Sequence, residues 1–243
     1  MGTVWSRAAA VAAAGWLLCT TAAAAGAEEP RSSSFLYFAG TDLWRDGAFL
    51  NGGLLWSPAG LDKSGFTLKL LLAGGTYVYP SGALRTDVDG TLLSISALPG
   101  WRWLHDGLVV NLYAGPIFQD YRLSPDDPTS RLRGRYAGAQ FATDIWYQPD
   151  PATMLAFDGS IASIGFIGSA RAAFGWRAPV GFFLGPEVQA LWCVDYQQYR
   201  LGAHITAYRI DALEWTAAGG LATESDRRGS IGPYLRVGFN VRY

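Results

Sequence analysis

In the stretch 235–243, Leu235, Val237, Phe239, Val241 and Tyr243 alternate with Arg236, Gly238, Asn240 and Arg242. A period of two marks a strand with one apolar and one polar face. Loose termini of soluble domains are polar and frayed, and this one is neither. Its pattern suits the closing strand of an outer-membrane barrel, where every backbone polar group pairs within the protein and aromatic rings sit at the lipid interface. The same pattern matches the terminal signal read by the outer-membrane barrel assembly machinery. It predicts that Leu235, Val237, Phe239 and Val241 face lipid. Arg236, Asn240 and Arg242 are then expected to face the lumen or its inner rim.

Composition agrees with a barrel. Half of the 243 residues are hydrophobic, only 16% are charged, and there are 30 glycines and ten tryptophans. Such a chain is neither disordered nor, with a net charge of -1, a nucleic-acid binder. Arg7 followed by the apolar run Ala8 to Cys19 and by Ala25-Gly26-Ala27 reads as a signal peptide over 1–27, cleaved near Ala27. Residues 28–34 form a short lead and 35–243 one barrel domain. Trp16-Leu17-Leu18-Cys19 lacks the small residue of a lipoprotein signal, so no lipid anchor is expected. Cys193 is the only cysteine of the expected mature chain, which excludes an internal disulfide and a cysteine-based metal site. No later run reaches the ~18 to 20 apolar residues of a membrane helix.

Alternation and turn signals predict twelve strands, at 35–44, 48–57, 66–79, 90–103, 108–121, 134–147, 153–163, 167–177, 182–194, 198–209, 213–223 and 232–243. Many exceed the ~5 to 6 residues of a typical globular strand and match the ~9 to 11 of a tilted membrane strand. The expected fold is therefore all-β, an antiparallel up-and-down transmembrane β-barrel of about twelve strands. An even strand count puts both ends on the periplasmic side. Short inner turns are expected at 104–107, 148–152, 178–181 and 210–212, and longer outer loops at 80–89, 122–133 and 224–231. Arg45-Asp46-Gly47 is a tight outer turn and Ser57 to Gly65 a long inner one, both against that trend.

The polar faces carry the candidate chemistry. Lys69, Asn111, Gln140, Asp144, Arg171, Glu187, Gln189, Arg200, His204 and Glu214 are expected to line the lumen, bonding sugar hydroxyls or one another. Asp144, Asp158, Glu187 and Glu214 are better read as partners of Lys69, Arg171, Arg177 and Arg200 than as a glycosidase carboxylate pair. His204, between Arg200 and Thr206, is read as a hydrogen-bonded lumen residue, and His105 as an exposed turn residue. No Gly-x-Ser-x-Gly and no metal-ligand spacing occurs, so neither catalytic residues nor a metal or other cofactor is expected. Trp44, Trp56, Tyr79, Trp101, Trp103, Trp146, Tyr147, Trp176, Trp192, Tyr208 and Tyr243 are read as interface girdles. The segment Leu123 to Pro128, with Asp126 and Asp127, is read as a proline-framed turn.

Several blocks resemble the cellulose biosynthesis protein BcsS family. They include FAGTDLWRDGAFLNGGLLWSPAGLDKSGFTLKLLLAGG at Phe38–Gly75, RLSPDDPTSRLRG at Arg122–Gly134, YRLGAHITAYR at Tyr199–Arg209 and ESDRRGSIGPYLRVG at Glu224–Gly238. The resemblance spans nearly all of the chain after the signal segment and implies a part in bacterial cellulose production. It brings no catalytic residues with it.

Together these features predict a non-enzymatic accessory of cellulose (β-glucan) biosynthesis or export in the outer membrane of a Gram-negative bacterium, a conduit or a surface organiser. Its expected partners are outer-membrane lipid, the barrel assembly machinery, a cellulose chain and components of the cellulose synthase complex. A small-solute or oligosaccharide porin, a lipid- or glycan-modifying barrel enzyme and a soluble periplasmic β-protein are the alternatives.

Overall fold

The computed structural model describes residues 33–194, 196–225 and 230–243. The signal segment and residues 28–32 of the lead lie outside the described residues. Twelve strands follow one another: β1 (Phe35–Trp44), β2 (Gly47–Trp56), β3 (Gly65–Ser81), β4 (Thr86–His105), β5 (Leu108–Ser124) and β6 (Gly134–Asp150). Then come β7 (Thr153–Ala162), β8 (Gly168–Arg177), β9 (Phe183–Cys193), β10 (Tyr196–Ile210), β11 (Leu213–Glu224) and β12 (Ile231–Arg242). Each pairs antiparallel with its chain neighbours, and β12 returns to β1 to close the barrel. The seam runs from Leu36 opposite Arg242 to Trp44 opposite Tyr234. Phe35 and Tyr243 exchange both backbone hydrogen bonds at 2.9 Å, so pairing continues to the last residue.

Alternation sorts the side chains. On β12, Leu235 and Phe239 are exposed on the outer surface. Between them Arg236 reaches inward to Glu187 at 2.7 Å, and Asn240 reaches Glu214 at 3.5 Å. Arg242 lies at the inner rim, 3.8 Å from Asp62. Leu50, Leu72, Ile95, Leu184, Leu201 and Leu221 continue the apolar outer belt around the barrel. A belt of exposed leucines with charges turned inward is the inverse of a soluble protein, and it fits a bilayer.

Strand length is where sequence and structure part. β3 to β6 run 17 to 20 residues, whereas the other strands have 10 to 15. The expected outer loop 80–89 shrinks to Gly82–Arg85, because Pro80 pairs with Asp87 and Val78 with Asp89. Asp87 and Asp89 are exposed, while Val88 between them is fully buried. Alternation thus persists where composition suggests a loop. The outer faces of β4 to β6 turn polar past Leu93, Phe118 and Phe141, with Thr91, Asp89, Asp120, Arg122 and Arg135. These strand ends rise beyond the apolar belt as a wall on one side of the outer mouth.

Three of the expected girdle aromatics point inward. Trp44 shares a face with Asp42, and Trp146 with Asp144. Tyr79 lies on the face of Lys69, ten residues along β3. The period of two decides orientation, whatever the ring prefers at an interface.

The long inner connection 57–64 folds under the barrel. Leu61 donates its N–H to the Ser33 carbonyl at 2.8 Å and packs against Leu55, Leu98 and Tyr113, with Leu36 and Leu71 beside them. A second apolar cluster, Met154, Ala156, Ala173 and Phe183 with Trp146, fills the inner end beside β7 to β9. Near the outer mouth, Ile164 and Leu132 from two outer connections pack on Ile117 and Ala162.

The lipid-facing assignment of β12 carries a specific expectation. Val237→Arg, nearer the middle of the strand opposite Thr41, should destabilise the barrel by about 2–4 kcal/mol, the cost of a basic side chain near the bilayer midplane. Urea titration in lipid vesicles measures this, and an unchanged midpoint would mean that the two faces are reversed.

Candidate functional site

Every lumen-lining residue expected from the sequence does point inward, but they divide into distinct groups. At mid-height Lys69 Nζ donates to Asp144 Oδ2 at 2.7 Å and lies 5.0 Å from the centre of the Tyr113 ring. Asp144 on β6 is the cross-strand partner of Asp158 on β7. Like charges directly opposite one another are unfavourable, so each needs its own cation. Arg171 supplies the second, its Nε and Nη2 gripping Asp158 at 2.8 Å each. A planar guanidinium suits this two-point grip and a lysine would not.

The relay then continues. Arg171 Nη1 also donates to Glu187 at 3.3 Å, and Glu187 accepts from Arg236 at 2.7 Å and from the Tyr234 hydroxyl at 3.0 Å. Glu187 is buried, which only such multiple pairing makes tolerable. Above it, Arg200 Nη1 donates twice to Asp42, at 2.7 and 2.9 Å, and its Nε donates to Gln198 at 2.6 Å. Gln189 accepts from Arg200 at 3.4 Å, and the rings of Trp44 and Tyr234 lie 5.3 and 5.0 Å from its guanidinium. The remaining sites are local. Arg102 donates to Asn111 at 3.0 Å, and Ser96 donates to Gln140 at 2.7 Å.

Accessibility separates these groups. The side chains of Glu187 and Arg200 are 0% exposed, whereas those of Asp144 and Asp158 are 37% and 44% exposed. The two carboxylates border open space inside the barrel and are the charges that a polar solute in the lumen would meet. Arg171 and Lys69, at 13% and 15%, lie behind them.

His204 is held at both ring nitrogens. Nε2 lies 3.1 Å from the Phe174 carbonyl and Nδ1 lies 2.8 Å from Thr206 Oγ1. A neutral ring that donates from Nε2 and accepts at Nδ1 satisfies both contacts. Glu214 is elsewhere, near the inner rim, pairing with Arg209 at 3.3 Å. Arg177, expected to meet a carboxylate, instead donates to the Pro151 and Gly181 carbonyls at 2.6 and 3.3 Å and stacks over Phe183. It ties two inner turns together. Among the described residues, no group of three or more His, Cys, Asp or Glu side chains is arranged to hold a metal ion.

Sequence reasoning missed Asp42 and Gln198 as members of the Arg200 cluster. Asp42 could have been found, because Phe38, Gly40, Asp42 and Trp44 share one strand face. Nothing in the sequence marks which cation it meets, since Asp42 and Arg200 are 158 positions apart.

At the outer mouth, Asp127 is nearly fully buried. Its Oδ1 accepts from the Thr129 N–H at 2.9 Å and hydroxyl at 2.7 Å, and its Oδ2 from Tyr79 at 3.2 Å. The Thr129 hydroxyl, then Ser81, lead the bonds that pull its pKa from 3.8 down to about 2. The carboxylate therefore acts as the clasp of the proline-framed turn.

A family model described as cellulose biosynthesis protein BcsS matches residues 36–243. No curated protein sequence matches the chain. Among solved structures, a TodX monoaromatic hydrocarbon channel mutant is 8% identical, with 86% of this chain and 88% of that one covered at a TM-score of 0.51. LpxR from Salmonella typhimurium is 13% identical over 86% and 100%, at 0.49. The KdgM porin in complex with disordered oligogalacturonate is 11% identical over 86% and 99%, at 0.45. At these identities the likeness to TodX speaks for the barrel fold alone, and the two weaker ones carry no argument.

Two outcomes are expected. Arg171→Met leaves Glu187 with Arg236 alone and takes away the hydrogen-bonded cation of Asp158; because Asp158 is 44% exposed and solvent screens it, the cost should be about 1–3 kcal/mol. Asp158→Leu in the same chain should recover part of that loss, as read from urea midpoints in vesicles. For Asp127 the folded-state pKa is the lower one, so its contribution is complete above pH 3.8 and fades as pH falls through about 2. Pepsin should spare the segment 125–133 at pH 4 and nick it near pH 2, while Asp127→Asn should be nicked at both.

Proposed function

The chain belongs to the cellulose biosynthesis protein BcsS family, and from that premise we propose a closed outer-membrane barrel that organises cellulose at the cell surface. It takes part in β-glucan production as an accessory. It does not conduct the polymer. What supports this reading is the apolar packing at the inner end of the barrel. Leu61 and its cluster, with the Met154 and Phe183 cluster, occupy the inner end. Largely buried ion pairs join Arg200 to Asp42 and Arg236 to Glu187, each bridging strands three apart, a quarter of the way around the barrel.

With the inner end packed in this way, action falls to the outer mouth. The raised wall of β3 to β6 carries the half-buried Tyr77, Tyr79 and Tyr136 on its inner side, the first two 6.2 Å apart and the third backed at 6.1 Å by the buried Tyr121. Aromatic faces beside charged loop residues suit contact with a polysaccharide. No catalytic role is assigned, because the ring nitrogens of His204 are both engaged and Glu214 lies apart from it. The partners in this reading are outer-membrane lipid, the barrel assembly machinery that inserts the closing strand, a cellulose chain at the surface and components of the cellulose synthase complex. A small-solute porin is the second reading, favoured by the half-exposed Asp144 and Asp158.

Planar-bilayer recording separates these. The purified barrel should be electrically silent. A steady open conductance blocked by short cello-oligosaccharides would replace the organiser with a conduit, and one indifferent to them would favour the porin.

A further inference from the structure

The outer surface holds a second feature that the lumen does not explain. A groove of about 560 Å³ runs from Leu108 on β5 and Ile145 on β6 across β7 and β8 to Val188 on β9, between Leu155, Phe157 and Phe174, with Ala172 and Pro186 as its floor. It cuts deep enough to reach Ala156 and Ala173, whose side chains belong to the inner cluster.

The groove has a cause in the sequence. Pro186 lacks an N–H, and the β8–β9 register passes from Ala173 opposite Glu187 directly to Trp176 opposite Leu184. Phe174 and Gly175 pair with Leu155 and Met154 on β7 but have no ladder partners on β9. Gly185 allows the close approach that results, since a Cβ there would collide with the Phe174 carbonyl. That carbonyl meets the His204 ring from inside the barrel, at 3.1 Å. His204 thus seals the break from within, while Ala172 and Pro186 leave it open and apolar outside.

We propose that this groove binds one acyl chain of a phospholipid from the inner leaflet. The chemistry of the lining selects hydrocarbon, because the lining is apolar apart from Tyr147 and from Glu187, whose carboxylate is engaged by Tyr234 and Arg236 on the lumen side, and the groove lies within the lipid-facing belt. Its position selects the leaflet. Tyr147 and Trp176 stand at its inner end, near the connections 151–152 and 178–182, and Trp176 is 57% exposed. Such rings mark the interfacial level. Trp176 packs edge-on against Phe174 with centroids 4.6 Å apart, joining the groove to that interface. The next residue, Arg177, is exposed at the rim and commits only its Nε and Nη1 to backbone carbonyls. Its Nη2 remains to meet a phosphate. The inference requires that the barrel lie in a bilayer and is independent of its part in cellulose production.

Native mass spectrometry of the full barrel tests it, after delipidation in detergent and re-addition of dioleoyl-phosphatidylethanolamine. The unaltered protein should retain one lipid. Ala172→Phe, which fills the groove, should weaken retention about tenfold or more. Ala172→Leu, a smaller filling that the barrel tolerates more readily, should weaken it less, and so should Arg177→Gln. Ala217→Phe, on the outer face of β11, should change nothing. Heat-modifiable migration on gels reports that each variant is folded. Undiminished retention in folded Ala172→Phe and Ala172→Leu would overturn the proposal, as would no retention by the unaltered protein. So would a dimer in detergent that Ala172→Phe dissolves, because the groove would then be filled by a second copy.

Discussion

Closure of the backbone ladder is the constraint on which everything else rests. In hydrocarbon no water satisfies an N–H or a carbonyl, so a sheet must have no free edge. Here β12 meets β1 from Leu36 opposite Arg242 to Trp44 opposite Tyr234, and the pairing runs on to Tyr243. Once the ladder closes, every strand has one face in lipid and one in the lumen. The inward face must then accommodate whatever the sequence puts there. That explains why charged residues concentrate inside and leucines outside, the opposite of a soluble domain.

The lumen shows how the protein handles that consequence. Two carboxylates stand opposite each other on neighbouring strands, and a lysine and an arginine from other strands neutralise them. Glu187 would be intolerable alone and is stable because two arginines and a tyrosine converge on it. These contacts join strands that are distant in sequence and hold the barrel's cross-section in shape. Where the ladder itself is broken, at Pro186, a side chain from inside takes up the Phe174 carbonyl. His204, read from the sequence as a hydrogen-bonded lumen residue, is in this sense part of the wall.

Belonging to the cellulose biosynthesis protein BcsS family sets the process, while the geometry narrows how the barrel takes part in it. In the proposed reading, the packed inner end and the raised wall move the weight of function from the axis to the outer mouth. The groove over β7 to β9 moves some of it to the membrane side as well. Both follow from the same division of faces, because residues that cannot be used inside the lumen are presented at its rim or to lipid.

The sequence by itself determined the fold class, the number and order of strands, and the face on which each side chain lies. Period-two alternation is local, and neither Arg236 nor Leu235 can exchange faces without a register slip that reverses the whole strand. It also determined that Lys69, Asp144, Arg171, Glu187 and Arg200 face inward together. Only the tertiary structure decided who meets whom. Arg200 found Asp42, Glu187 found Arg236, and Arg177 found two carbonyls, because the stagger of the closed barrel sets which positions share a height. Composition misplaced the outer end of β4, where Asp87 and Asp89 look like loop residues but flank a buried valine. It also gave no sign that Leu61 would fold under the barrel, since a connection's path depends on the cavity it covers. Alternation is a property of one strand, whereas partners and plugs are properties of the closed ring.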